Sequence, residues 1–136
     1  MPITTSAEET RRLARELTRG LYEPTCISLI GKLGAGKTVF VKGIAEGLGI
    51  KDVIQSPSFV MMRSYSGRMK LYHIDLYRVT SREELFPFED YLLKDGVSAI
   101  EWSDRAKDIL PKERIEVKID IKGRDKRRIV IYDYRN

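Results

Sequence analysis

Residues Gly31-Lys-Leu-Gly-Ala-Gly-Lys-Thr38 constrain this chain more than any other stretch, because each position has a mechanical job. Gly31, Gly34 and Gly36 let the backbone wrap closely, so that successive N–H groups converge on an anion. Lys37 supplies a mobile charge for the β- and γ-phosphates, and Thr38 a hydroxyl for Mg²⁺. The loop lies between an apolar run, Cys26–Ile30, and a stretch with Phe40, Val41, Ile44, Ala45 and Leu48 on one helical face. That strand–loop–helix context is what a P-loop requires, since the helix adds its N-terminal dipole to the same point. Leu33, Ala35 and Val39 complete the expected nucleotide-contacting stretch.

The rest of the chain supports an α/β fold. Ser6 and Glu9 form a capping box ahead of Thr10, Leu13, Ala14 and Leu17 at helical spacing. Ser56-Pro57 breaks the chain before strands expected over 58–65 and 69–75, joined at Ser66-Gly67. A connection so tight makes them antiparallel, so the sheet is expected to be mixed. Ser81 and Glu84 repeat the capping box and open a short helix that Pro87 interrupts, with a helical turn resuming over 89–93. Val97–Glu101 reads as a buried strand and 104–110 as a short helix. Strands over 114–121 and 127–134 close the chain around a turn at Lys122-Gly-Arg-Asp125. The expected architecture is a P-loop NTPase-like three-layer α/β/α fold with a mixed central sheet, in one domain over 1–136.

Composition bounds the setting. A chain of 136 residues can bury roughly two-thirds of its unfolded surface. Its one cysteine, Cys26, excludes an internal disulfide and fits a core position in a reducing compartment. No basic-then-apolar leader is seen, and no apolar run approaches the ~18 residues of a membrane span. A cytoplasmic location without membrane contact is therefore expected. The net charge of +5 is gathered late, at Lys118, Lys122, Arg124, Lys126, Arg127 and Arg128. Such a cluster suits a solvated hairpin tip, or else a phosphate-rich or acidic surface.

A P-loop needs an acid at the Mg²⁺ or its water shell, usually where an apolar strand ends. Two strands offer one: Leu71-Tyr-His-Ile-Asp75 and Val97-Ser-Ala-Ile-Glu101. Spacing does not rank Asp75 against Glu101, and both can serve. Lys37, Asp75 and Glu101 are the expected catalytic residues; Thr38, Asp75 and Glu101 are the expected metal ligands. The sole histidine, His73, shares a strand face with Asp75 and can orient it by a hydrogen bond, although a satisfied structural histidine is the expected reading. The Asn/Thr-Lys-x-Asp string that reads guanine is missing, for the sole asparagine is Asn136. ATP with Mg²⁺ is thus the expected ligand pair.

Four segments together resemble the TsaE (YjeE) family: the P-loop, Ser56-Pro-Ser-Phe59, His73-Ile-Asp-Leu-Tyr-Arg78 and Ile100-Glu-Trp102. The resemblance implies a small bacterial ATPase serving the synthesis of N6-threonylcarbamoyladenosine on tRNA. It also implies a TsaB–TsaD pair as partner, reset by ATP hydrolysis, with direct tRNA contact left open. Ser58 would lie near the γ-phosphate and metal, Trp102 near the site, and Thr10 near the adenine. Two departures stand out: Lys32 replaces the family's usual aspartate in the loop, and Ser58 replaces a threonine. The first puts a positive charge where relatives carry a negative one; the second keeps the hydroxyl.

No Gln or Arg is placed by sequence to align water or act in cis, so weak turnover alone and faster turnover in a complex are expected. A small-molecule or nucleotide kinase on the same cradle is the first alternative. It needs an acceptor pocket and usually an arginine-rich lid, for which the short path from the P-loop helix to Ser56 leaves little room. A nucleotide-gated binding module, in which occupancy matters more than hydrolysis, is the second.

Overall fold

The computed structural model describes residues 3–57 and 61–135. Its centre is a seven-stranded mixed sheet in the order β1-β7-β6-β2-β5-β4-β3. The strands are β1 (Ile3–Thr4), β2 (Thr25–Ile30), β3 (Met62–Ser66), β4 (Lys70–Asp75), β5 (Val97–Glu101), β6 (Ile115–Ile121) and β7 (Arg127–Asp133). Strands β4, β5, β2 and β6 run parallel, whereas β3, β7 and β1 join antiparallel at the edges. The expected mixed α/β sheet is therefore present. The P-loop strand, β2, lies among the central parallel strands.

Side-chain alternation divides the sheet into two faces. Ile27 and Leu29 of β2, Leu71 of β4, Val97 and Ala99 of β5, and Ile115, Val117 and Ile119 of β6 pack on one side. Helices α1 (Ala7–Leu17) and α2 (Lys37–Gly47) cover that side through Ala14, Phe40, Val41, Ile44 and Ala45. Ser6 caps α1, its hydroxyl accepting the Glu9 N–H at 3.1 Å. The Glu9 carboxylate answers one residue earlier than the box predicts, accepting from the Thr5 N–H at 2.7 Å.

Cys26, Ile74 and Ile100 point to the opposite face and meet Leu76, Val79, Leu85, Leu92 and Ala106. This third layer is thinner than expected. The capping box expected at Ser81 does not form, since the Ser81 hydroxyl donates to the Glu84 carboxylate at 3.2 Å; a 3₁₀ turn over Arg82–Leu85 starts there and passes into the four-residue α3 (Phe86–Glu89) with Pro87 in its first turn. Pro87 thus starts a helical turn instead of interrupting one, as its fixed φ and missing N–H allow. The helix expected over 104–110 is a 3₁₀ turn at Ser103–Ala106. Strand β1 was not foreseen, since two residues carry no periodicity. Its Thr4 hydroxyl meets that of Thr10 at 2.7 Å and ties the edge to α1.

Candidate functional site

Parallel strands bring their carboxyl ends to one edge, where ligands gather in open α/β sheets. Asp75 pairs in register with Glu101, and Glu101 with Leu29, one residue before the end of β2. Alternation puts His73, Asp75 and Glu101 on the α2 face. A cavity of about 320 Å³ opens there, lined by the 33–39 stretch, Ser56, Asp75, Tyr77, Glu101 and Trp102. It therefore unites Leu33, Gly34, Ala35, Gly36, Lys37, Thr38, Val39, Asp75, Glu101 and Trp102.

The loop geometry needs its glycines. Gly34 and Gly36 have φ of 82° and 103°, in the region L side chains avoid. A Cβ on Gly31 would come within 2.8 Å of the Ile119 carbonyl oxygen, so the loop passes close over β6. Lys37 is buried, and its ammonium donates to the Gly31 carbonyl and lies 3.5 Å from the centre of the Trp102 ring. Burial holds its pKa below the ordinary lysine value, while Glu101, Asp104 and Asp75 draw it back up.

Thr38 Oγ1 donates to Glu101 Oε2 at 2.9 Å, and His73 Nε2 meets the same oxygen at 2.5 Å. Facing a carboxylate, Nε2 is the protonated nitrogen of the ring. His73 thus orients Glu101 on the neighbouring strand, not the Asp75 of its own. Among the described residues both contacts fall on Oε2. Asp75 Oδ1 accepts the Tyr77 N–H at 2.9 Å, which steers that carboxylate from its own chain.

The donor set suits Mg²⁺. Among the described residues no three His, Cys, Asp or Glu side chains form a metal cage. A hydroxyl and two buried carboxylates beside a phosphate cradle match an ion that keeps waters and takes ligand phosphates.

Trp102 is held in the left-handed region at φ 59° and ψ 38°, which costs a non-glycine residue about 1–2 kcal/mol. Tyr77 packs on it at 5.0 Å between ring centres, and the Arg105 guanidinium lies 5.7 Å away. The backbone strain therefore presents an indole between the P-loop lysine and a second cation. Tyr77 stood inside a motif quoted from the sequence, but only the fold shows that it lines the cavity.

Two other expected residues lie elsewhere. Thr10 lines an adjoining cavity of about 140 Å³ with Ser6, Val39, Asp125 and Arg127. Gly31 and Lys32 line a third, of about 400 Å³, with Asp104, Lys118 and Asp120. Lys32 thus lines this third cavity and not the one that residues 33–39 line. Ser58 and Phe59 lie outside the described residues. The structure also adds Arg127, which no motif marks: its guanidinium bonds two P-loop carbonyls.

The chain is similar to known proteins in sequence and in fold. A family model described as "Threonylcarbamoyl adenosine biosynthesis protein TsaE" matches residues 4–129. The tRNA threonylcarbamoyladenosine biosynthesis protein TsaE of Bacillus subtilis (strain 168) is 40% identical over 128 residues, covering 93% of this chain and 80% of its own. The protein of the same description from Treponema pallidum (strain Nichols) is 37% identical over 131 residues, covering 95% and 97%. A crystal structure of YdiB from Bacillus subtilis superposes with a TM-score of 0.84 at 33% identity, covering 98% of this chain and 84% of that one. With a family model over most of its length, relatives at 37–40% identity and the same fold, the chain belongs to the TsaE family.

Proposed function

We propose that this protein is a Mg²⁺-dependent ATPase that serves tRNA threonylcarbamoyladenosine biosynthesis by acting on a TsaB–TsaD-like complex. The observation that carries the reading is the single cavity in which Lys37, Thr38, Asp75, Glu101 and Trp102 meet the P-loop. Family membership supports the biosynthetic role.

The division of labour follows from position. The loop N–H groups and Lys37 bind the β- and γ-phosphates, and Lys37 leaves its Gly31 carbonyl and the Trp102 face to do so. Thr38, Asp75 and Glu101 would hold Mg²⁺, which supplies charge stabilisation at the phosphate oxygens. Glu101 Oε1, with its partner oxygen anchored by His73, orients the attacking water. Among the described residues neither an arginine nor a glutamine lines the main cavity. That supports slow turnover alone, with the missing charge or ordering contact coming from the partner, an effect of about 10³–10⁵ in other P-loop enzymes. Thr10 and the cavity it lines accept the adenine. A cytoplasmic location fits, and among the described residues no helix is long and apolar enough to cross a membrane.

The test is phosphate release from ATP by the chain alone and with a TsaB–TsaD pair, in Mg²⁺ and in EDTA. A slow Mg²⁺-dependent rate that the pair raises at least tenfold is the expected result. A rate unchanged by the pair, or dependent on a small-molecule acceptor, overturns the proposal, the second outcome in favour of a kinase.

A further inference from the structure

The basic C-terminal hairpin takes no part in the chemistry above, yet one of its side chains reaches back to the P-loop. Arg127 opens β7 at the end of the turn. Its Nε donates to the Ala35 carbonyl at 2.9 Å and its Nη2 to the Gly34 carbonyl at 3.1 Å. Its Nη1 donates to the turn itself, at the carbonyls of Gly123, Arg124 and Lys126, at 3.1, 3.3 and 3.0 Å. Every guanidinium nitrogen is engaged, with the planar fork spanning two segments that lie 92 residues apart. A lysine carries its three donors on one nitrogen and lacks that planar fork.

Peptide planarity turns these bonds into a statement about the phosphate cradle. In a trans peptide the carbonyl and the following N–H point in opposite directions. The Gly34–Ala35 peptide is held at both ends, its carbonyl by Arg127 and its N–H by the Lys32 carbonyl at 3.0 Å. Among the described residues the Ala35–Gly36 peptide is held only by its carbonyl, and planarity turns the Gly36 N–H away from Arg127; Gly36 also lines the main cavity. Because glycines flank Ala35 at positions 34 and 36, these planes rotate easily unless something fixes them.

We propose that Arg127 is a positioning residue for phosphate binding: it straps the P-loop to the hairpin turn and sets the peptide planes that aim the Gly36 N–H at the anion. The proposal rests on the nucleotide-binding reading above, and its test keeps the two apart. Arg127→Met and Arg127→Lys are compared with the unaltered full chain in two measurements. Amide hydrogen exchange over residues 31–38 is read without nucleotide, and affinities for ATP and inorganic tripolyphosphate are read by calorimetry.

The methionine variant is expected to raise exchange in the loop and to weaken both ligands by about tenfold or more, as for lost charge-assisted hydrogen bonds. The lysine variant, which keeps the charge but not the fork, recovers only part of that affinity. Unchanged loop exchange overturns the proposal, as does full recovery by lysine, which would make the charge alone responsible. A loss confined to ATP, with tripolyphosphate unaffected, also overturns it by placing Arg127 on the base. If the unaltered chain binds neither ligand, the nucleotide reading fails, while loop exchange still decides whether Arg127 holds the loop. Should the methionine variant not fold, the lysine variant carries the exchange measurement: a loosened loop supports the strap and a wild-type loop overturns it.

Discussion

One face of the sheet lies under two regular helices of eleven residues each, and the other under 3₁₀ turns and a four-residue helix. Both faces are apolar, and both coverings begin from the same Ser-x-x-Glu signature, at Ser6 and Ser81. The signature marks where a turn starts; the residues after it decide how far the turn runs. After Ser6, buried Thr10 and Ala14 with half-buried Leu13 and Leu17 keep one stripe against the core. After Ser81 no such stripe develops before Pro87, and the chain covers the face with single side chains such as Leu85 and Leu92. The chemistry follows the same division. The P-loop and both strand-end acids sit on the regular face, where α2 fixes Lys37 and Thr38 against the sheet.

The largest expected difference between the faces is in packing. Phe40, fully buried under α2, should cost about 3–5 kcal/mol when replaced by alanine, whereas Leu85→Ala should cost about 2, because the turns around it can close in. Denaturant unfolding measures both, and equal costs would break the contrast.

Next comes Glu101→Gln, which tests whether the regular face holds its acid for chemistry at the expense of stability. Asp75 and Glu101 are buried side by side on one face, so removing one charge should leave the melting temperature equal or higher. ATP hydrolysis should fall by about 10²–10³ with nucleotide affinity kept. If the biological activity survives that loss, the nucleotide-gated module becomes the better reading.

The smallest effect belongs to the turn-covered face. Burial pushes the Cys26 thiol up to about 11 from 9.0. Below pH 9 both folded and unfolded states keep the proton and the full contribution is present. Between 9 and 11 only the folded state keeps it, so stability falls as pH rises, by about 1 kcal/mol between pH 9 and 10. Cys26→Ala should remove that slope. Native Cys26 should also resist alkylation at pH 9, and rapid labelling would show that the turn layer opens freely.

How far the site was readable depended on sequence distance. Residues 31–39 form one local motif, so the loop and the helix it opens could be read directly. Asp75 and Glu101 were recognisable as strand-end acids, but their pairing in register joins strands 26 residues apart in numbering and appears only in the sheet. His73 illustrates the limit: strand alternation put it on the face of Asp75, while the parallel neighbour gave it Glu101 as partner. Arg127 carried no local signal, for its role depends on a turn and a loop that meet only in the fold.

By itself, then, the sequence determined the P-loop, the alternation of strands and helices, and the two acids, because these follow from backbone freedom, periodicity and charge within a few neighbouring residues. Tertiary structure alone decided the strand order, the thin layer over Cys26, the His73–Glu101 pair, the cavity that Lys32 lines and the Arg127 strap. Those depend on which distant segments the sheet brings within hydrogen-bond reach, and no short-range pattern encodes that choice.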